Sequence, residues 1–147
     1  MYNQNYRTGY AVKKIVRSFR DLEVYQKTLE CSIIVVKDVK PKLARLRFPF
    51  AAGITDCALS VPLFIGEGHS IRFGDHKTGL LLLEKAMVGC NKMVIYLEMA
   101  KGLYGSKIDG DLVDDLIRRY AEVRIKIFRL EKSWQRWTEP RGGNFNK

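Results

Sequence analysis

The sequence predicts an all-α protein, an antiparallel up-down four-helix bundle. Three observations carry the prediction. Residues 109–137 form one long amphipathic pattern with two apolar rows. Three earlier stretches repeat apolar residues at helical 3-4 spacing, separated by proline and glycine punctuation. No stretch alternates apolar and polar residues convincingly enough to read as a half-buried strand.

Residues 1–17 read as a basic N-terminal arm, its first ten positions polar and aromatic with no periodicity. The bundle is expected over 18–138. Ser18-Phe-Arg-Asp21 has the form of a capping box, a hydroxyl for an orphan amide with an acid three residues on. Phe19, Leu22, Leu29, Ile33 and Val36 then trace the apolar stripe of a first helix, and Val12 and Ile15 extend its register backwards. Ile33-Ile34-Val35-Val36 is β-branched and would suit a strand, but the flanking helical spacing favours helix. Lys40-Pro41 is expected to stop it, because proline lacks the amide donor and restricts its predecessor. A basic connection follows over 41–49.

A second helix is expected from about Phe50 to Ser70. Pro62 inside it predicts a kink or local break. Gly66 and Gly68 either weaken its far end or allow close helix contact. The third helix spans about Asp75–Tyr104, with a seam of Leu80, Leu83, Met87, Cys90, Val94, Leu97 and Tyr104. Leu81, Leu82, Ala86, Val88, Met93 and Ile95 lie off that seam. This helix is apolar on most sides and is expected to be the most buried element.

Gly105-Ser106 ends it, and Asp109 opens the fourth helix. Carboxylates crowd its N-terminal end and bases its C-terminal end, the signs favoured by the helix dipole. Its main seam is Val113, Leu116, Tyr120, Val123, Ile127, Leu130, Trp134 and Trp137. A second row, Ile117, Ala121, Ile125 and Phe128, needs another neighbour and is a candidate subunit contact. Pro140 and Gly142-Gly143 release a flexible C-terminal tail at 139–147. Helices of ~20–30 residues make a bundle ~30–45 Å long.

With 147 residues the chain is long enough for one domain with a real core. Its net charge is +10, a balance that favours nucleic acid or an anionic surface as partner. Residues 1–47 hold 11 bases against four acids, and Leu116–Trp137 holds seven against two. The candidate phosphate contacts are Lys13, Lys14, Arg17, Arg20, Arg118, Arg119, Arg124, Lys126, Arg129 and Arg136. Tyr2, Tyr6, Tyr10 and Arg7 at one end, and Trp134, Arg136 and Trp137 at the other, are candidates for stacking on bases. Both tryptophans sit on the main seam, so packing is their first expected role. Arg141-Gly-Gly is a single copy of an RGG-like unit.

Little in the chain composes a catalytic or metal site. His69 and His76 are the two histidines, and neither pairs with a cysteine at zinc-site spacing. Gly66-Glu-Gly68 follows no strand and lacks the Lys-Ser/Thr of a phosphate loop. Cys31, Cys57 and Cys90 fall in apolar-periodic stretches and read as small core residues. No signal-peptide core and no apolar run near the ~20 residues of a membrane span is evident. A reducing cytoplasm is the expected compartment, and no cofactor is implied.

Phe19-Arg-Asp-Leu-Glu-Val-Tyr-Gln-Lys-Thr-Leu-Glu30 resembles the opening motif of the bacterial four-helix-bundle family. That family includes proteins encoded in ribosomal RNA intervening sequences and the accessory variability (Avd) proteins of diversity-generating retroelements. Leu59-Ser-Val-Pro-Leu-Phe-Ile-Gly-Glu-Gly68 is similar to its second motif, Ser-Ile-Pro-x-x-Ile-Ala-Glu-Gly. Gly89 in a long third helix and Ser133-Trp134 in the last also fit, so the resemblance covers about 18–137. Three departures stand out. Thr55-Asp56 replaces paired arginines, Phe64 a common asparagine, and Asn91-Lys92-Met93 an acidic pattern. They move the chain toward the basic Avd type. The resemblance implies a barrel-like homopentamer without chemistry of its own. It also implies binding to template RNA, possibly cDNA, and a reverse transcriptase. The alternative is a protein-interaction scaffold of the ribosomal-insert type with no nucleic-acid role.

Overall fold

The computed structural model describes residues 15–138. Lys13, Lys14, the tyrosines of the arm and the Arg141-Gly-Gly tail lie outside the described residues. Those described are all-helical, with no strand among them. Five α-helices follow in order: α1 (Glu23–Ile34), α2 (Lys40–Arg45), α3 (Ala51–Ile71), α4 (His76–Tyr104) and α5 (Gly110–Thr138). A π turn, Val35–Val39, joins α1 to α2, so the chain packs as four helical rods.

The lead-in to α1 is the expected capping box, closed around a 3-10 turn at Phe19–Asp21. The Arg20 amide donates to the Ser18 hydroxyl at 3.1 Å, and the Asp21 carboxylate accepts from the Ser18 amide at 3.3 Å. Pro41 does not stop the rod as expected. The Lys40 amide donates back to the Val35 carbonyl across the wide π turn, and Pro41 falls in the first turn of α2, where its missing donor is not needed. Much of the connection expected at 41–49 is therefore helix. It ends in a Schellman motif: Phe48 N–H donates to Leu43 O at 2.9 Å and Arg47 N–H to Ala44 O at 3.0 Å. Arg47 occupies the left-handed position at φ 62°.

α3 runs unbroken through Pro62. Asp75 caps α4, accepting from the Thr78 amide at 3.1 Å and hydroxyl at 2.7 Å. Asp109 caps α5, accepting from the Leu112 amide at 3.1 Å. Gly105 closes α4 at φ 52°, a conformation that suits glycine.

Contacts along the rods give their directions. Gly68 faces Gly79 and Val61 faces Gly89, so α3 and α4 run antiparallel. Lys101 pairs with Asp114 near the α4–α5 turn. Glu23 meets Lys126 and Glu30 meets Arg119, so α1 and α5 are antiparallel as well. A Cβ on Gly89 would lie 2.6 Å from Val61 Cγ2, which marks a close α3–α4 approach. Gly68 serves close contact, one of the two roles offered for it.

Three faces differ from expectation. Along α1 and the π turn the buried set is Val24, Thr28, Cys31, Ser32, Val35 and Val39, whereas Leu29 and Ile33 are 37% and 47% exposed. Thr28 and Ser32 bury because each hydroxyl donates to a carbonyl of its own helix, Val24 O at 2.8 Å and Leu29 O at 2.7 Å. On α4 the buried stripe is Leu83, Ala86, Cys90, Met93, Leu97 and Ala100, rotated from the expected seam toward small residues that admit α3. Leu81, Val88 and Ile95 are half-exposed, so α4 is not buried on most sides. On α5 the seam holds from Val113 to Trp134, but Trp137 is 74% exposed. Trp134 already packs at the level of the α3–α4 turn, against His69. Three residues more carry the seam ~4.5 Å further, past its neighbours.

All three cysteines are buried. Burial raises the Cys31 and Cys90 thiols to about 11 and about 12. Cys57 Sγ donates to Gly89 O at 3.4 Å. Tyr120, fully buried among the thiols, has no hydrogen-bond partner for its hydroxyl among the described residues.

Candidate nucleic-acid interface

On α5 the acids Asp111, Asp114 and Asp115 lie in the first turns, and seven bases follow, interspersed with Glu122 and Glu131. The fold divides those bases into two groups. Arg118, Arg119 and Lys126 face α1 or their own helix and are ion-paired. Arg118 pairs with Asp115 and, at 3.4 Å, with Glu122. Arg119 reaches Asp115 at 2.8 Å and Glu30 at 3.4 Å. Lys126 meets Glu23 at 2.6 Å. The carboxylates hold the Arg118 guanidinium above its ordinary value, and the hydrogen bond from Lys126 holds Glu23 below its own. These partly exposed pairs are screened by solvent and weaken with salt. A phosphate must displace a carboxylate to reach these bases.

Arg129 and Arg136 are exposed, Arg124 is half-buried, and none of the three belongs to an ion pair among the described residues. Arg17 and Arg20 are exposed at the lead-in turn of α1. The eight candidate contacts among the described residues therefore do not form one cluster. They fall at the α1 lead-in, in the α1–α5 groove, and along the C-terminal half of α5.

Of the second row on α5, Ile125 and Phe128 are 42% and 44% exposed, Ala121 is exposed and Ile117 half-buried. Two further apolar features are defined by the structure. Between α1 and α3, Phe19, Tyr25, Leu29, Leu59 and Leu63 line a groove of about 640 Å³. Along the outside of α4, Leu81, Val88, Ile95 and Leu103 form an exposed stripe. The seven-residue spacing of its first three members was present in the sequence as a signal.

Glu131 was also missed. It is only 4% exposed. Burial, then a hydrogen bond with the Glu84 carboxyl, raises it to about 7. Among the described residues no cluster of three or more His, Cys, Asp or Glu is placed to hold a metal ion. No helix among them is long and apolar enough to cross a membrane.

The class these features define is an all-helical bundle with a strongly basic surface. No family model, curated protein or solved structure matches the chain.

Proposed function

We propose that this protein is a non-enzymatic, nucleic-acid-binding accessory factor of a diversity-generating retroelement. It binds template RNA or cDNA together with the reverse transcriptase and supports mutagenic reverse transcription. The carrying observation is a net charge of +10 on a helical bundle. The motif-bearing segments support the reading. Phe19–Glu30 forms the capped start of α1, and Leu59–Gly68 forms the part of α3 that packs against it and against α4. The bases contact phosphates with little base readout.

The working form in this reading is a cytoplasmic homopentamer. A protomer with an apolar groove on one side and apolar rows elsewhere suits head-to-tail closure, in which unlike surfaces meet around a ring. Ile117, Ala121, Ile125 and Phe128 supply one such surface. Native mass spectrometry showing a lone monomer at micromolar protein would remove this element.

The test of nucleic-acid binding is charge neutralisation. Replacing Arg20, Arg124, Arg129 and Arg136 with glutamine should weaken RNA binding across sequences. It should also flatten the dependence of log K on log salt by roughly 0.7 per lost phosphate contact. Unchanged affinity and slope would sink the assignment. The ion pairing of Arg118, Arg119 and Lys126 favours a second reading, a protein-interaction scaffold with no nucleic-acid role. A salt-sensitive shift of RNA at submicromolar protein counts against that scaffold.

A further inference from the structure

We infer that the end of the bundle where the α3–α4 turn meets the last turn of α5 is a stacking platform for unpaired bases of a single-stranded nucleic acid. The inference rests on the nucleic-acid reading and goes beyond its phosphate contacts. Phe73 and Trp137 are 76% and 74% exposed, the two most exposed large apolar side chains among the described residues. They lie 64 positions apart in sequence, yet with Arg72, His76 and Trp134 they line a single depression.

Arg72 organises this surface. Its guanidinium lies 4.1 Å from the Phe73 ring centroid and 5.6 Å from that of Trp134. An N–H of the same group donates to the His69 carbonyl. None of the ion pairs among the described residues involves it. Trp134, 8% exposed and packed on His69, forms the floor. The result is an anchored planar cation between aromatic rings, with two rings bare to solvent.

Size and charge select the ligand. The depression holds about 20 Å³, against the roughly 300 Å³ or more of a small-molecule site. It is a surface for a flat group to lie on. Exposed Lys77 and Arg136 adjoin it in sequence. Among the described residues, Asp75 beside it caps α4 through Thr78 and interacts electrostatically with Lys77. Aromatic faces beside exposed cations suit bases flanked by phosphates. Stacked duplex bases are not open to such a surface, so a single strand is the expected form.

The test compares 12-nucleotide oligo(A) and oligo(U) with an abasic phosphodiester strand of equal length. Each is titrated into the full-length protein and into the Phe73→Ala/Trp137→Ala double variant. The wild type should bind the base-bearing strands roughly tenfold more tightly per stacked base, with quenching of tryptophan fluorescence. The double variant should bind the abasic strand as the wild type does and lose the base-dependent gain. Both side chains are exposed, so an unchanged thermal midpoint should accompany the loss. Equal wild-type affinity for all three strands would overturn the platform and leave the phosphate reading intact. Failure of every strand to bind would remove the nucleic-acid reading itself, and the platform with it. Unaltered strand binding by the double variant, with loss of reverse-transcriptase capture, would reassign the patch to a protein contact.

Discussion

Glu131→Gln should make the protein more stable at and above neutral pH. The carboxyl is 4% exposed, and burial and Glu84 raise it from 4.5 to about 7. The unfolded chain releases this proton near 4.5, whereas the folded protein keeps it until about 7. Between those values the folded state binds more protons, so stability falls as pH rises through the window. At ~1.4 kcal/mol per pH unit the loss approaches about 3 kcal/mol by pH 8. An amide cannot ionise and still donates to the Glu84 carboxylate. The variant should therefore lose that slope and exceed the wild type by about 2–3 kcal/mol at pH 8. Near pH 4 the two should be alike. Burial lowers His69, so its effect has the opposite sense: stability is lost as pH falls through its unfolded value. That term is common to both proteins and cancels in the difference. Urea unfolding followed by circular dichroism from pH 4 to 8 reads the difference directly. A difference that is flat with pH, or that grows toward acid, would refute the reasoning.

Three further perturbations test the packing. Arg47→Gly relieves a left-handed residue at φ 62° and should raise stability by about 1 kcal/mol; a lower urea midpoint would contradict it. Gly89→Ala places a Cβ 2.6 Å from Val61 Cγ2. Val61 is β-branched and stiff, so the helices must separate. Overpacking of ~1–3 kcal/mol should outweigh the ~1 kcal/mol gain in helix propensity, and a variant as stable as the wild type would count against the close approach. Cys31 and Cys90, buried and raised to about 11 and about 12, should resist a thiol reagent at pH 8 until urea unfolds the chain; rapid labelling of the native protein would show that the layer opens.

Helix limits were legible because their signals are local. Asp75 and Asp109 each satisfy an amide three residues on, and Gly105 supplies the one glycine conformation the turn needs. Faces were less legible. A hydropathy stripe on α1 selects Leu29 and Ile33 over Thr28, Cys31 and Ser32. The buried hydroxyls are satisfied within the helix and pack like small apolar groups. Pro41 reads as a stop because its clash is local, while the π turn that accommodates it gains its place from burial of Val35 and Val39.

The same division runs through the candidate interface. By itself the sequence determined an all-helical chain, its punctuation, the α5 seam as far as Trp134, and an excess of positive charge. Each follows from residue type and short-range spacing. Only the tertiary structure decided which charges are engaged, because Glu23 and Lys126 are 103 positions apart. It alone exposed Trp137 and set it near Phe73, since whether a seam residue is covered depends on where the neighbouring helices end. Periodicity specifies which side of a helix is apolar; the length and placement of other helices specify how much of that side is used.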